Sequence, residues 1–137
     1  MENGDHGLVS LILVSHSATI AQGVAELVGQ VAGDDVSVAT VGGASDGSLG
    51  TDGGRVLQVL ESAAAGSGAV VLMDIGSSVL AVRAALAELP SDGLARLRVA
   101  DAPLVEGALA AAVTASTGAT LAEVAEAAEG ARTVAKL

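Results

Sequence analysis

The sequence of 137 residues contains no phenylalanine, tyrosine, tryptophan or cysteine. Without cysteine the chain can form neither disulfide bonds nor thiolate metal sites, which agrees with a reducing compartment. Without aromatic rings it offers no platform on which nucleic acid bases could stack. Because 51% of the residues are hydrophobic, the core must be built from valine, leucine, isoleucine and alanine. Such small side chains favour closely packed helices and sheet.

Basic residues are also scarce. Six lysines and arginines stand against sixteen aspartates and glutamates, which gives a formal net charge of −10. Proteins bind phosphate backbones through clustered lysine and arginine, so this charge argues against nucleic acid as a partner. We interpret the acidic surface as a source of solubility; the alternative is that it helps to dock a basic protein.

Long hydrophobic runs and a signal sequence are missing as well. No stretch is long enough to span a bilayer, and the first residues, MENGDHG, lack the basic start of a secretory signal. We therefore expect a cytoplasmic protein that makes no contact with a membrane. The length predicts one domain over residues 1–137, with residues 1–7 as a flexible tail in which His6 has no role.

Hydrophobic runs alternate with helix-like segments along the chain. The predicted strands are residues 8–14, 36–41, 69–73 and 97–100. Continuous apolar strands that alternate with helices predict an α/β fold, with an open, mainly parallel sheet of about four strands and helices on both faces. In such sheets the functional residues lie at the carboxyl ends of the strands, near a topological switch point.

Helical spacing of apolar residues predicts which face of each helix is buried. In the first helix these positions are Ile20, Val24, Leu27, Val28 and Val31, and Gly33 ends the helix. In the helix that begins at Pro103 they are Leu104, Val105, Ala108, Leu109, Ala112 and Val113. The last helix has Thr120 as its N-cap and Glu123 at the matching capping-box position.

Two chemically active side chains follow predicted strands. His16 comes after the first strand and Asp74 after the third. An imidazole can carry a phosphoryl group if one ring nitrogen attacks while an acceptor holds the other. Asp74 is the predicted acceptor, and the alternative is a carboxylate that only caps the next helix.

Glycine-rich stretches supply candidate phosphate-binding groups. The segment GGASDGSLGTDGG ends the second strand, and GSS opens the helix after the third. Backbone N–H groups in such turns and at helix starts can bind an anion. We therefore predict a phosphate-binding set at the carboxyl edge of the sheet: Gly50, Thr51, Asp52, Gly53, Gly76, Ser77 and Ser78. The chain contains no G-x-x-x-x-G-K-[ST] motif, so a nucleotide kinase that binds ATP directly is not expected.

Four motifs in order resemble a known family. LVSHS at 13–17, LGTD at 49–52, LMDIGS at 72–77 and APLVEG at 102–107 look like the phosphotransferase subunit of phosphoenolpyruvate-dependent dihydroxyacetone kinase, whose first domain is of the mannose-type enzyme IIA class. The resemblance implies that His16 accepts a phosphoryl group from the phosphocarrier HPr and passes it to ADP held on a separate nucleotide-binding subunit. It also implies a homodimer, and neither a cofactor nor a metal is expected. The chain ends at Leu137, which matches the short form that depends on separate HPr.

Two other functions remain open at this point. One is the mannose-type sugar transporter subunit, although relatives of that kind carry Trp-Gly-Gly-Ser after the aspartate where this chain has IGSS and no tryptophan. The other is a non-catalytic regulatory module that uses the glycine loop to bind an anionic ligand.

Overall fold

The computed structural model describes residues 7–137 and contains one four-stranded sheet. The strands are β1 Ser10–Ser15, β2 Val38–Gly42, β3 Ala69–Met73 and β4 Leu97–Val99. They lie in the order β2-β1-β3-β4, and all neighbours are parallel. The predicted fold class is confirmed. His6 and nearly all of the predicted tail lie outside the described residues.

Six α-helices connect and follow the strands in the described part of the chain. They are α1 Ala18–Ala32, α2 Gly53–Ala64, α3 Gly76–Leu86, α4 Ser91–Leu94, α5 Leu104–Ser116 and α6 Leu121–Gly130. Local signals set several of their ends. Gly33 ends α1 with a positive φ of 75°, and Thr120 and Glu123 form the predicted capping box of α6. The short helix α4 was not predicted, because its four residues are too few to show a hydrophobic period.

Helices cover both faces of the sheet. One hydrophobic cluster joins β1 and β3 to α1, α5 and α6, and a second joins the sheet to α2 and α3. The central strands β1 and β3 are buried along almost their whole length. This explains why they read as continuous apolar runs in the sequence.

The buried faces of α1 and α5 match the predicted ones only in part. Val24 and Val28 of α1 and Leu104, Ala108 and Ala112 of α5 are buried as predicted. Ile20, Leu27 and Val31 of α1 are 49%, 42% and 51% exposed, and Val105 and Val113 of α5 are exposed too. The other buried positions are small residues that were not predicted: Ala21 in α1, and Gly107, Ala111 and Ala115 in α5. Small residues allow α5 to lie close to the sheet, since a Cβ atom on Gly107 would come within 3.0 Å of Leu72 Cδ2. Side-chain size, in addition to hydrophobicity, therefore determines which face of α5 is packed.

The strand order creates one topological switch point. From β1 the chain crosses to β2 on one side, and from β2 it returns to β3 on the other side of β1. As a result α1 leaves β1 over one face of the sheet, while α3 leaves β3 over the opposite face. The gap between these two strand ends is the place where ligands bind in open α/β sheets.

Candidate functional site

His16 lies at this switch point, between the end of β1 and the N-cap of α1. The backbone N–H of His16 points at Asp74, with 3.2 Å to each carboxylate oxygen, and the His16 carbonyl accepts from Gly50 N–H at 2.8 Å. Ser17 then caps α1 through its hydroxyl. Histidine, aspartate and glycine loop meet at one edge, as the order of strands and motifs predicts.

The imidazole is held by a serine. His16 Nδ1 lies 2.7 Å from Ser77 Oγ, and Ser77 Oγ lies 3.1 Å from Thr51 Oγ1. Within residues 7–137 this is the only hydrogen bond of the ring, which leaves Nε2 without a protein partner. The prediction that Asp74 accepts from the ring is therefore wrong in its contact: the ring partner is Ser77, because Asp74 is turned toward the backbone of His16.

Asp74 is the centre of a separate network. Its carboxylate accepts from Ser15 Oγ at 2.5 Å, from Ile75 N–H at 2.6 Å and from Ser78 Oγ at 2.9 Å, in addition to His16 N–H. Ser15 and Ser78 are fully buried. We call Asp74, Ser15 and Ser78 the carboxylate clamp, since they fasten the end of β1 to the start of α3.

The clamp also affects the charge of Asp74. Partial burial raises the pKa of its carboxyl group, but the hydrogen bonds donated to it, above all those from Ser15 and Ile75, outweigh burial and hold the pKa below its usual value. Asp74 is thus an anion at neutral pH, fixed next to the backbone of His16.

The structure separates the predicted phosphate-binding residues into two groups. Gly50, Asp52 and Ser78 are already used inside the protein: Gly50 N–H by His16, the Asp52 carboxylate as the cap of α2, and the Ser78 hydroxyl by Asp74. The N–H groups of Gly53, Gly76 and Ser77 stand in the first turns of α2 and α3, where no carbonyl of the same helix can reach them. Thr51 contributes its hydroxyl to the contact with Ser77.

The sequence that forms this site matches a known protein family. Residues 10–125 match the family model described as "PTS system fructose IIA component". That range includes every strand and all the residues of the site. The chain belongs to this family.

Relatives of this IIA protein include named phosphoryl donor subunits. It is 37% identical over 106 residues to the phosphoryl donor subunit of PEP-dependent dihydroxyacetone kinase 2 from Listeria innocua, a match that covers 77% of this chain and 85% of the relative. It is 39% identical over 112 residues to the corresponding subunit from Escherichia coli, covering 80% of this chain but only 24% of that longer protein. A crystal structure of a protein of unknown function, EF1359, has a TM-score of 0.81 and 34% identity, and covers 90% of this chain and 95% of its own.

Sequence reasoning missed one residue that shapes the site. Ser15 entered the sequence analysis only as part of the LVSHS motif, yet it donates to Asp74 and accepts from Ser17 N–H at 3.0 Å. A polar residue that closes an otherwise apolar strand, one position before the histidine, was the available signal.

No helix in the described residues is long and apolar enough to cross a membrane.

Proposed function

We propose that this IIA protein is a phosphoryl donor subunit of a dihydroxyacetone kinase, in which His16 receives a phosphoryl group from HPr and passes it to ADP bound on the nucleotide-binding subunit. The names of the relatives support the kinase system. The observation that carries the chemistry is the ring of His16, held at Nδ1 by Ser77 and open at Nε2. A ring fixed in this way can attack phosphorus without first searching for an orientation.

Nε2 is the proposed phosphorylated atom. Since Nδ1 lies within hydrogen-bond distance of Ser77, Nε2 is the nitrogen that can form the phosphoramidate bond. The product, an Nε2-phosphohistidine, keeps its proton on Nδ1 and can keep its contact with Ser77. We infer that Asp74 supports this step indirectly, by fixing the backbone from which the ring extends.

The phosphoryl oxygens need donors. Gly76 and Ser77 are the first two residues of α3, and Ser77 contacts the ring. Gly53 is the first residue of α2, two positions after Thr51. Helix starts favour an anion through unpaired N–H groups and the helix dipole. We infer that these amides, together with the hydroxyls of Ser77 and Thr51, surround the phosphoryl group.

The edge around His16 suits a protein partner better than a free nucleotide. Three apolar side chains near His16 are exposed: Ile20 by 49%, Leu49 by 70% and Ile75 by 56%. Ile20 N–H donates to Ser17, Leu49 precedes Gly50, and Ile75 follows Asp74. Exposed apolar side chains around a reactive group are typical of docking surfaces. We infer that HPr and the ADP-loaded subunit use this surface in turn. We also infer a homodimer, which sedimentation equilibrium tests.

Labelled phosphoenolpyruvate with enzyme I and HPr tests the phosphorylation. The chain has two histidines, so His6→Asn is the matched control for His16→Asn. We expect wild type and His6→Asn to take up acid-labile, base-stable label, and His16→Asn to take up none while keeping its circular dichroism spectrum. Label on folded His16→Asn, or an acid-stable adduct, would contradict the assignment.

The acceptor is tested by following the loss of phosphohistidine in separate mixtures. We expect transfer to the ADP-bound nucleotide-binding subunit and little to free ADP. Equal rates with both would indicate a self-sufficient phosphotransferase. Transfer only to a membrane sugar-permease component would favour the transporter function.

A further inference from the structure

The contact to the ring of His16 does not end at Ser77. The Ser77 hydroxyl lies between two partners, with 2.7 Å to His16 Nδ1 and 3.1 Å to Thr51 Oγ1. A serine hydroxyl has one proton to donate and lone pairs that accept. If both contacts are hydrogen bonds, Ser77 therefore donates to at most one of these two neighbours and accepts from the other, or accepts from both.

Three proton arrangements satisfy these distances, and in one of them Ser77 accepts from both the ring and Thr51 while its own proton has no partner among the described residues. The other two give the Ser77 proton a partner. In the first, Thr51 donates to Ser77 and Ser77 donates to Nδ1, so that the ring carries its proton on Nε2. In the second, the ring carries its proton on Nδ1 and donates to Ser77, and Ser77 donates to Thr51. The second arrangement needs Thr51, because when the ring donates to Ser77, Thr51 Oγ1 is the acceptor available to the Ser77 proton within the described residues.

Of these two arrangements, only the second is ready for phosphoryl transfer. When the phosphorus–nitrogen bond of the donor breaks and the bond to Nε2 forms, the lone pair of Nε2 becomes the bonding pair. The proton on Nδ1 stays in place throughout, and the departing donor nitrogen keeps the bonding electrons as its own lone pair. In the first arrangement the proton on Nε2 must leave before the bond can form.

We propose that Thr51 is a positioning residue which, through the hydroxyl of Ser77, holds His16 in the tautomer that carries its proton on Nδ1. The purpose of this role rests on the proposed function, whereas the role itself is inferred from the two distances. It differs from a role as a phosphate ligand, because it acts on the ring before any phosphoryl group is present. A hydrogen bond partner commonly determines which nitrogen of a histidine is protonated.

Nitrogen-15 NMR of the imidazole in the unphosphorylated protein tests the proposal. A His6→Asn background leaves His16 as the only histidine. We expect the proton on Nδ1 in this parent protein, a shift of the signals toward the Nε2-protonated form in Thr51→Val, and restoration in Thr51→Ser. Thr117→Val is the matched control, since in the described part of the chain the Thr117 hydroxyl donates only to the Thr114 carbonyl of α5.

Labelling kinetics complete the test. Thr51→Val should accept the phosphoryl group about tenfold more slowly, which corresponds to the loss of one neutral hydrogen bond in the reactive state, and Thr51→Ser should be restored. A proton on Nε2 in the parent protein, or unchanged ring signals in Thr51→Val, would overturn the proposal. Because the NMR signals come from the unphosphorylated protein, failure of HPr to label His16 would count against the proposed function and not against this inference.

Discussion

Ser77 and Ser78 are neighbours in the first turn of α3, yet their hydroxyls serve different networks. Ser78 is fully buried and donates toward Asp74 at 2.9 Å, with Ile75 O as a second acceptor at 2.7 Å. Ser77 is only partly buried and contacts the ring of His16 and the hydroxyl of Thr51. Ser78 is joined to the residues that fix the backbone of the site, and Ser77 to the imidazole ring of His16.

The two networks contact different parts of His16. The carboxylate clamp fixes its backbone, whereas Ser77, with Thr51 behind it, contacts its imidazole ring. The carboxylate clamp brings several donors to one partly buried anion, and two of these donors, the hydroxyls of Ser15 and Ser78, are fully buried, where an unmade hydrogen bond is costly. The pair of Ser77 and Thr51 is only partly buried, and its hydroxyl protons can be arranged in more than one way. We therefore expect changes in the clamp to lower stability, and changes in the pair to alter reactivity with little effect on stability.

Asp74→Asn should have the largest effect. The amide group retains one oxygen but turns N–H donors toward Ser15, Ser78 or the backbone N–H groups that Asp74 now accepts from. We expect the free energy of unfolding to fall by about 2–3 kcal/mol, the cost of leaving buried donors unsatisfied. Phosphoryl acceptance should slow by about one to two orders of magnitude because the His16 backbone loses its anchor. Urea denaturation and labelling measure the two effects.

The pH dependence provides a control for this prediction. The pKa of Asp74 is lower in the folded chain than its usual value, so its ionised form stabilises the fold above the unfolded pKa of about 4, and this contribution is lost as the pH falls through the folded value. The difference in stability between wild type and Asp74→Asn should therefore be constant at neutral pH and shrink as the pH falls from about 4 through the lower folded pKa. A difference that is constant over this range would show that the charge of Asp74 is not what the clamp stabilises.

Ser78→Ala should have an intermediate effect. It removes one hydroxyl from the clamp and leaves the ring contact of Ser77 in place. We expect a loss of about 1–2 kcal/mol in unfolding free energy, as for a buried hydrogen bond to a charged group. The pKa of Asp74 should rise, because a donor that lowers it is gone. An unchanged urea midpoint would show that Ile75 N–H, His16 N–H and Ser15 are sufficient for the clamp.

The sequence predicted the fold more completely than the site. β3 was predicted at its observed bounds, and the bounds of the other strands were predicted within two residues. This was possible because parallel strands that are buried on both faces have continuous apolar sequences. The predicted packed faces of α1 and α5 were partly wrong: Ala112 and Val113 were both predicted to be buried, but only Ala112 is. Which of the two positions is buried depends on how closely α5 approaches its neighbours. That distance is a property of the tertiary structure.

In the site, the sequence indicated which residues gather but not which atoms touch. His16, Asp74 and the glycine loop could be placed at one edge from strand order alone. The direction of the Asp74 carboxylate could not, because it depends on Ser15, Ser78 and two backbone N–H groups that lie on different elements. Assignment of Ser77 to the ring likewise requires the orientation of α3 relative to β1.

Ser77→Ala should have the smallest effect on stability and is the sharpest test of the comparison. Within residues 7–137 its hydroxyl contacts only the ring and Thr51, both of which water can reach, so we expect a change below about 1 kcal/mol in unfolding free energy. Phosphoryl acceptance should nevertheless fall by about tenfold or more, because Nδ1 loses its partner and the ring its fixed orientation. Ser78→Ala is the matched control, with the same substitution one residue away. A loss of stability in Ser77→Ala as large as that in Ser78→Ala would show that the two serines belong to one network.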